Sequence, residues 1–197
     1  MKYILLAALL SLSLNKIILA EEIAPGVLRT PDGRFENLQD YPFEPNYIEI
    51  DGLRIHYLDE GPKDADPIIL FHGEPVWSYL FRKMIPVLTE AGYRVIVPDM
   101  VGFGKSDKFE SKHDYSYKHH VDVMKELVER LDLKNTTHFG QDWGGLVGLR
   151  VVAEMPDRFA QVVVSNTGMV AGEGIRAWFT QLVMKLTVWW NGPITFE

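Results

Sequence analysis

The chain has 197 residues, is 47% hydrophobic and 12% aromatic, and carries enough apolar material for one domain-sized core. It contains no cysteine, which excludes a disulfide framework and a thiolate metal site. A formal net charge of -7 at pH 7, with no basic cluster to offset it, argues against nucleic acid as a partner.

Residues 1–20 have the layout of a secretory signal: a positive start at Lys2, an apolar run from Tyr3 to Leu14, and a small residue, Ala20, before Glu21. The mature protein is therefore expected to begin at Glu21 and to reside in the periplasm or outside the cell. An uncleaved membrane anchor is the alternative. Asn15 and Lys16 interrupt the apolar run, so no stable spanning helix is expected.

Residues 21–46 are rich in Pro, Gly, Asp and Asn and read as an irregular arm. Tyr47 to Ile50 and Leu53 to Leu58 alternate on either side of Asp51-Gly52, which predicts a β-hairpin. His56, inside its second strand, reads as a packing or surface residue. Pro67 to Phe71 is a continuous apolar run, as in a buried parallel strand. Trp77 to Glu90 has helical spacing, with Pro86 expected to bend or interrupt it.

Arg94 to Pro98 predicts another buried strand, and Asp99 to Lys112 a glycine-rich loop. Ser116 to Leu131 predicts a helix, Thr136 to Gln141 a strand, Leu146 to Glu154 a helix and Phe159 to Ser165 a strand. This order argues for a doubly wound, mostly parallel sheet behind an antiparallel hairpin. Residues 47–168 form the expected α/β core. Residues 169–197 begin a further, apolar segment that ends without a polar closing element. The chain thus reads as the N-terminal part of a longer protein.

The chemistry centres on Gly140-Gln141-Asp142-Trp143-Gly144, where a strand turns directly into a helix. That is the pattern of a nucleophile elbow, whose flanking glycines admit a turn too tight for side chains. The elbow usually carries serine; here it carries Asp142. A carboxylate attacks without a base, and its natural target is a saturated carbon with a leaving group, or a strained ring. The plainer reading of Asp142 is an N-cap. His72-Gly73-Glu74-Pro75 follows a buried strand, and in folds with such an elbow this strand-end loop supplies one oxyanion N–H. The residue after the nucleophile supplies the other. Here they are the backbone amides of Glu74 and Trp143.

Trp143 also carries an indole N–H, a donor with no acceptor function, suited to holding an anion in an apolar pocket. Trp178, Trp189 and Trp190 follow in the last apolar segment, where core packing is the default. Gly104-Lys105-Ser106 imitates the end of a phosphate-binding loop, but Asp99 stands where that loop needs glycine. It reads as a structural turn beneath the site. His119 and His120 are adjacent on a helix, point to different faces and read as part of a solvated face. Asn135-Thr136-Thr137 fits a glycosylation sequon, a weak pattern.

The run His72 to Pro86, the loop Pro98 to Lys108, and Gln141-Asp142-Trp143-Gly144-Gly145 together resemble the haloalkane dehalogenases of the α/β-hydrolase superfamily. The resemblance spans roughly Val27 to Gly168 and looks closest to the subgroup that holds halide with two tryptophans. It implies Asp142 as nucleophile and Trp143 as first halide-binding residue. Trp178, of a helical cap over 169–197, is the best match for the second. It also implies Glu74 and Trp143 as oxyanion-hole amides. No cofactor or metal is implied; the partners are a haloalkane, water and halide. Glu74 stands where another subgroup has Asn, and Asn166 where other subgroups place a carboxylate. The family's general-base histidine and its acid lie in a C-terminal part that none of the six histidines here matches. Epoxide hydrolase chemistry on the same Asp elbow is the alternative, as is a chain that is not catalytically competent by itself. Gln141 and Glu74 favour dehalogenation.

Overall fold

The computed structural model describes residues 20–168. The signal-like segment up to Leu19 and the expected cap over 169–197, with Trp178, Trp189 and Trp190, lie outside the described residues.

The centre is a six-stranded mixed sheet. It is built from β3 (Asn46–Ile50), β4 (Leu53–Glu60), β5 (Pro67–Phe71), β6 (Arg94–Pro98), β8 (Thr136–Gln141) and β9 (Phe159–Ser165) in the order β3-β4-β6-β5-β8-β9. β3, β4 and β6 pair antiparallel, while β6, β5, β8 and β9 pair parallel. The hairpin turns at Asp51 and Gly52, whose φ values of 50° and 72° are both positive, as a two-residue primed turn requires.

Every residue of β5 is buried, and its side chains divide by period two. Ile69 and Phe71 join one core with Met124, Leu127 and Val147. Ile68 and Leu70 join a second core with Tyr41, Phe81 and Ile85. Burying such a side chain contributes roughly 2 kcal/mol each, which is why a continuous apolar run marks a strand covered on both faces.

α1 (Met84–Glu90) covers one face; α2 (Tyr117–Arg130) and α3 (Trp143–Glu154) cover the other. Ser116 caps α2 by accepting the His119 N–H at 3.1 Å, and Val121, Met124 and Val128 form its buried stripe. Pro86 does not interrupt α1. It is the third helical residue, where an N–H has no intrahelical acceptor, so its absence is harmless. The break lies earlier, between a 3₁₀ turn at Ser78–Phe81 and Met84.

The arm expected to be irregular is partly ordered into strands. β1 (Glu21–Ala24) and β2 (Val27–Arg29) form a hairpin that pairs with β7 (Lys108–Phe109), a short strand inside the predicted loop. Arg29 fixes this layer through a two-point ion pair with the buried Asp107, at 2.7 and 2.8 Å. No helix among the described residues is long and apolar enough to cross a membrane.

The topology positions the site. From β5 the chain steps to β6 on one side, then crosses to β8 on the other. The C-terminal ends of β5 and β8 thus lie side by side at the switch point, where open α/β sheets form crevices.

Candidate active site

β8 passes into α3 through one residue, Asp142, with φ 54° and ψ -125°. A non-glycine residue in that region carries about 1–3 kcal/mol of strain. The conformation persists because the backbone around it is tied down. The Asp142 carbonyl accepts the Gly145 N–H at 3.0 Å and the Thr167 hydroxyl at 2.7 Å. Asp142 occupies the N-cap position, yet its side chain makes no capping hydrogen bond. The carboxylate instead accepts the backbone N–H of Glu74 at Oδ1, 3.0 Å away. The N-cap reading is therefore overturned by geometry.

Two glycines permit this approach. A Cβ on Gly144 would overlap the backbone carbonyls of Phe71 and His72, and a Cβ on Gly73 would overlap the Asp142 side chain. The elbow and the strand-end loop are packed backbone to backbone. Trp143 opens α3 and is half-buried. The helix N-terminus and the Glu74 amide together favour negative charge at Asp142. Burial, and secondarily the Asp142 carboxylate, raise the pKa of the Glu74 side chain. A cavity beside the loop is lined by Glu74, Trp143, His72, Phe103, Tyr117 and His120.

Behind the loop lies a buried network of which the sequence reading identified only the turn. Asp99 accepts the Ser78 N–H at 2.7 Å, the Lys105 N–H at 2.8 Å and His56 Nδ1 at 2.8 Å. Burial works to raise the pKa of Asp99, but the His56 hydrogen bond, the electrostatic pull of His56 and His72, and the Lys105 N–H hold it below the usual carboxylate range. Ser106 accepts the His56 N–H and donates to the Asp99 carbonyl. The Gly104-Lys105-Ser106 segment is thus a structural turn beneath the site, as expected, and His56 is a packed strand residue. The signal for the network was the bare Asp99 in an apolar strand end; nothing in the sequence named its partners.

His119 and His120 require a correction. They do not form a solvated face: His120 is 5% exposed, and the His119 side chain is largely enclosed between Phe109 and Asp51. His119 turns toward Phe109 of β7, a strand that the sequence did not announce, and His120 toward Tyr115 and the cavity. Burial lowers the pKa of His120 to about 4, so it is neutral at pH 7.

A doubly wound sheet with a positive-φ carboxylate elbow at its switch point defines a class, and the chain belongs to the alpha/beta hydrolase fold family, whose sequence profile matches residues 66–194. Within that class it is 58% identical over 174 residues to a haloalkane dehalogenase of Psychrobacter cryohalolentis, covering 82% of this chain and 57% of that one. It is also similar to the solved haloalkane dehalogenase of Paraglaciecola agarilytica, with a TM-score of 0.72 and 44% identity over 82% of this chain and 56% of that one. An epoxide hydrolase of Vigna radiata is more distant, with a TM-score of 0.58 and 27% identity over 62% of this chain and 38% of that one. The chain spans about half the length of the curated relatives it matches.

Proposed function

We propose that the whole protein is a haloalkane dehalogenase and that Asp142 is its nucleophile. The observation that carries this reading is the Asp142 carboxylate at a strained elbow, with Oδ1 held by the Glu74 N–H and the second oxygen left for attack. That oxygen forms a bond to the halogen-bearing carbon, and the carbon–halogen bond breaks with its electron pair leaving on the halide. Water then attacks the ester carbon. Negative charge develops on Oδ1, where the Glu74 and Trp143 amides stabilise it, and the alcohol departs. A histidine base, which the resemblance assigns to the C-terminal part of the whole protein, takes the proton from water and returns it to the alkoxide as the bond between the Asp142 carboxyl carbon and the alkoxy oxygen breaks, regenerating the carboxylate.

The Trp143 indole N–H is assigned to the departing halide, with Trp178 as its partner. Residues 1–20 are assigned as an export signal, giving a periplasmic or secreted protein that begins at Glu21. N-terminal sequencing of exported material checks this, and Met1 retained on soluble cytoplasmic protein would refute it.

The second reading, epoxide ring opening on the same carboxylate, is favoured only by the likeness to the epoxide hydrolase. The whole protein incubated with 1-bromobutane and, separately, with styrene oxide decides between them. Bromide release that disappears in Asp142→Ala supports dehalogenation. Diol formation without any halide release would reverse the assignment.

A further inference from the structure

We propose that His72 is a positioning residue that aims and polarises the Gly73–Glu74 peptide, and through it the oxyanion amide that meets Asp142. This rests on the dehalogenase reading for its consequence, but not for its geometry.

His72 is fully enclosed at the end of β5, with 1% of its surface exposed. Its Nε2 lies 3.0 Å from the Met100 N–H, and its Nδ1 lies 2.8 Å from the Gly73 carbonyl oxygen. The partners determine the tautomer. A backbone N–H can only donate, so Nε2 carries the lone pair. A carbonyl can only accept, so Nδ1 carries the proton. Burial keeps the ring neutral by lowering its pKa, against the pull of Asp99 in the other direction.

The Gly73 carbonyl and the Glu74 N–H belong to one peptide unit. In a trans peptide they point in opposite directions within one plane. Pinning the oxygen at His72 therefore aims the N–H away from it, toward Asp142 Oδ1 at 3.0 Å. The result is a directed series: Met100 N–H to His72, His72 to Gly73 O, Glu74 N–H to Asp142. Each hydrogen bond polarises the next, more so in a water-poor interior. A shift of the peptide plane would move the donor from where charge develops on the ester oxygen.

The effect differs between the two halves of the reaction. During attack the carboxylate loses charge, so a stronger donor at Oδ1 gives no advantage in the chemical step. During ester hydrolysis Oδ1 gains charge, and the donor stabilises it. Impairing His72 should slow hydrolysis far more than alkylation.

Two substitutions separate aiming from mere loop anchorage. His72→Asn places an amide near Nδ1 and keeps the donor to Gly73 O. His72→Gln places one near Nε2 and keeps only the acceptor for Met100 N–H. In the whole protein acting on 1-bromobutane, H72N is expected to stay within about threefold of wild type, because the donor survives. H72Q is expected to lose roughly ten- to a hundredfold in kcat, as for impaired oxyanion donors. H72Q should also accumulate the butyl ester on Asp142, seen by intact mass after acid quench. Equal slowing of alkylation and hydrolysis, or greater loss in H72N, would overturn the proposal.

A second measurement needs no substrate. Imidazole ¹⁵N shifts should show His72 protonated at Nδ1, and the Glu74 amide proton should move upfield in H72Q but not in H72N. An Nε2–H tautomer, or an unmoved Glu74 amide in H72Q, would overturn it. If wild-type protein neither alkylates nor releases halide, the dehalogenase reading fails, while these NMR observations still decide the positioning role.

Discussion

The Glu74 amide and Asp142 Oδ1 meet at 3.0 Å although the residues are 68 positions apart, and Gly73 sits between them with no room for a Cβ. Gly73→Ala, whose Cβ would overlap the Asp142 side chain itself, should therefore displace the loop and the carboxylate relative to each other and break the hydrogen bond. A misplacement of this kind costs on the order of a hundredfold in rate. Because the clash moves the attacking carboxylate as well as the donor, alkylation itself should slow, unlike in the His72 variants; ester formation on Asp142 from 1-bromobutane, followed by intact mass, checks this. Unchanged far-UV circular dichroism should accompany the loss; a variant that reacts at the wild-type rate would contradict the packing argument.

Asp142 pays for its place with backbone strain that glycine does not feel. Asp142→Gly should raise the urea midpoint, by a stability gain of roughly 1 kcal/mol, while abolishing ester formation. Opposite changes in stability and reactivity are the expected signature of a strained functional residue. A variant less stable than wild type would mean that the side-chain hydrogen bond outweighs the strain.

Arg29 reaches from the N-terminal layer to Asp107, whose carboxylate is completely enclosed and also accepts the Arg54 N–H at 2.8 Å. Arg29→Ala leaves that carboxylate short of its main partner. Because the Arg29 side chain is 30% exposed, water softens the loss, and roughly 2–3 kcal/mol is expected rather than the full cost of a buried pair. Urea denaturation of this variant against Arg29→Lys measures it. Equal midpoints for Arg29→Ala and wild type would show that the N-terminal layer adds nothing to the core.

His138 is completely buried in β8 against Phe71, and neither ring nitrogen has a hydrogen-bond partner in the structure. Burial lowers its pKa from the ordinary 6.5 to about 4, as it does for His120. Well above pH 6.5 both rings are neutral, folded or unfolded, and have no effect on pH dependence. Below it the unfolded chain takes up protons that the folded chain refuses, so stability falls as pH drops from about 6.5 to 4. Each ring accounts for roughly 3 kcal/mol at most. His138→Leu should raise stability at pH 7, by roughly 1 kcal/mol, and flatten the fall between pH 6.5 and 4.5. Parallel urea titrations at both pH values check this; an unaltered slope would place the acid sensitivity elsewhere.

Much of this protein was legible from residue order. The apolar run Pro67 to Phe71 reads as a strand covered on both faces, and Asp51-Gly52 between alternating runs as a tight turn. Both signals are local, carried by side-chain period and by backbone freedom. The elbow was legible for the same reason, since glycines around Asp142 report how close neighbouring backbone must come. The same elbow pattern, with its strand-end loop, pointed to the Glu74 amide, and the family resemblance implied it as well.

Tertiary structure decided what local signals do not encode. Residues 21–46 carried turn residues and no period, yet β1 and β2 are ordered by pairing with β7, a partner about eighty residues away in the chain. Phe109 of that layer packs on His119, while His120 is enclosed beside Tyr115 and the cavity lining; the helix pattern alone placed both in solvent. The same holds for His72. Its neighbours in sequence announce a loop, but the role proposed for it depends on Met100 N–H arriving from the loop after β6 at one ring nitrogen while Gly73 O occupies the other. A sequence states which groups can donate and accept; only the folded chain states which of them meet, because hydrogen bonds are directional and partners such as His72 and Met100 come from separate parts of the chain.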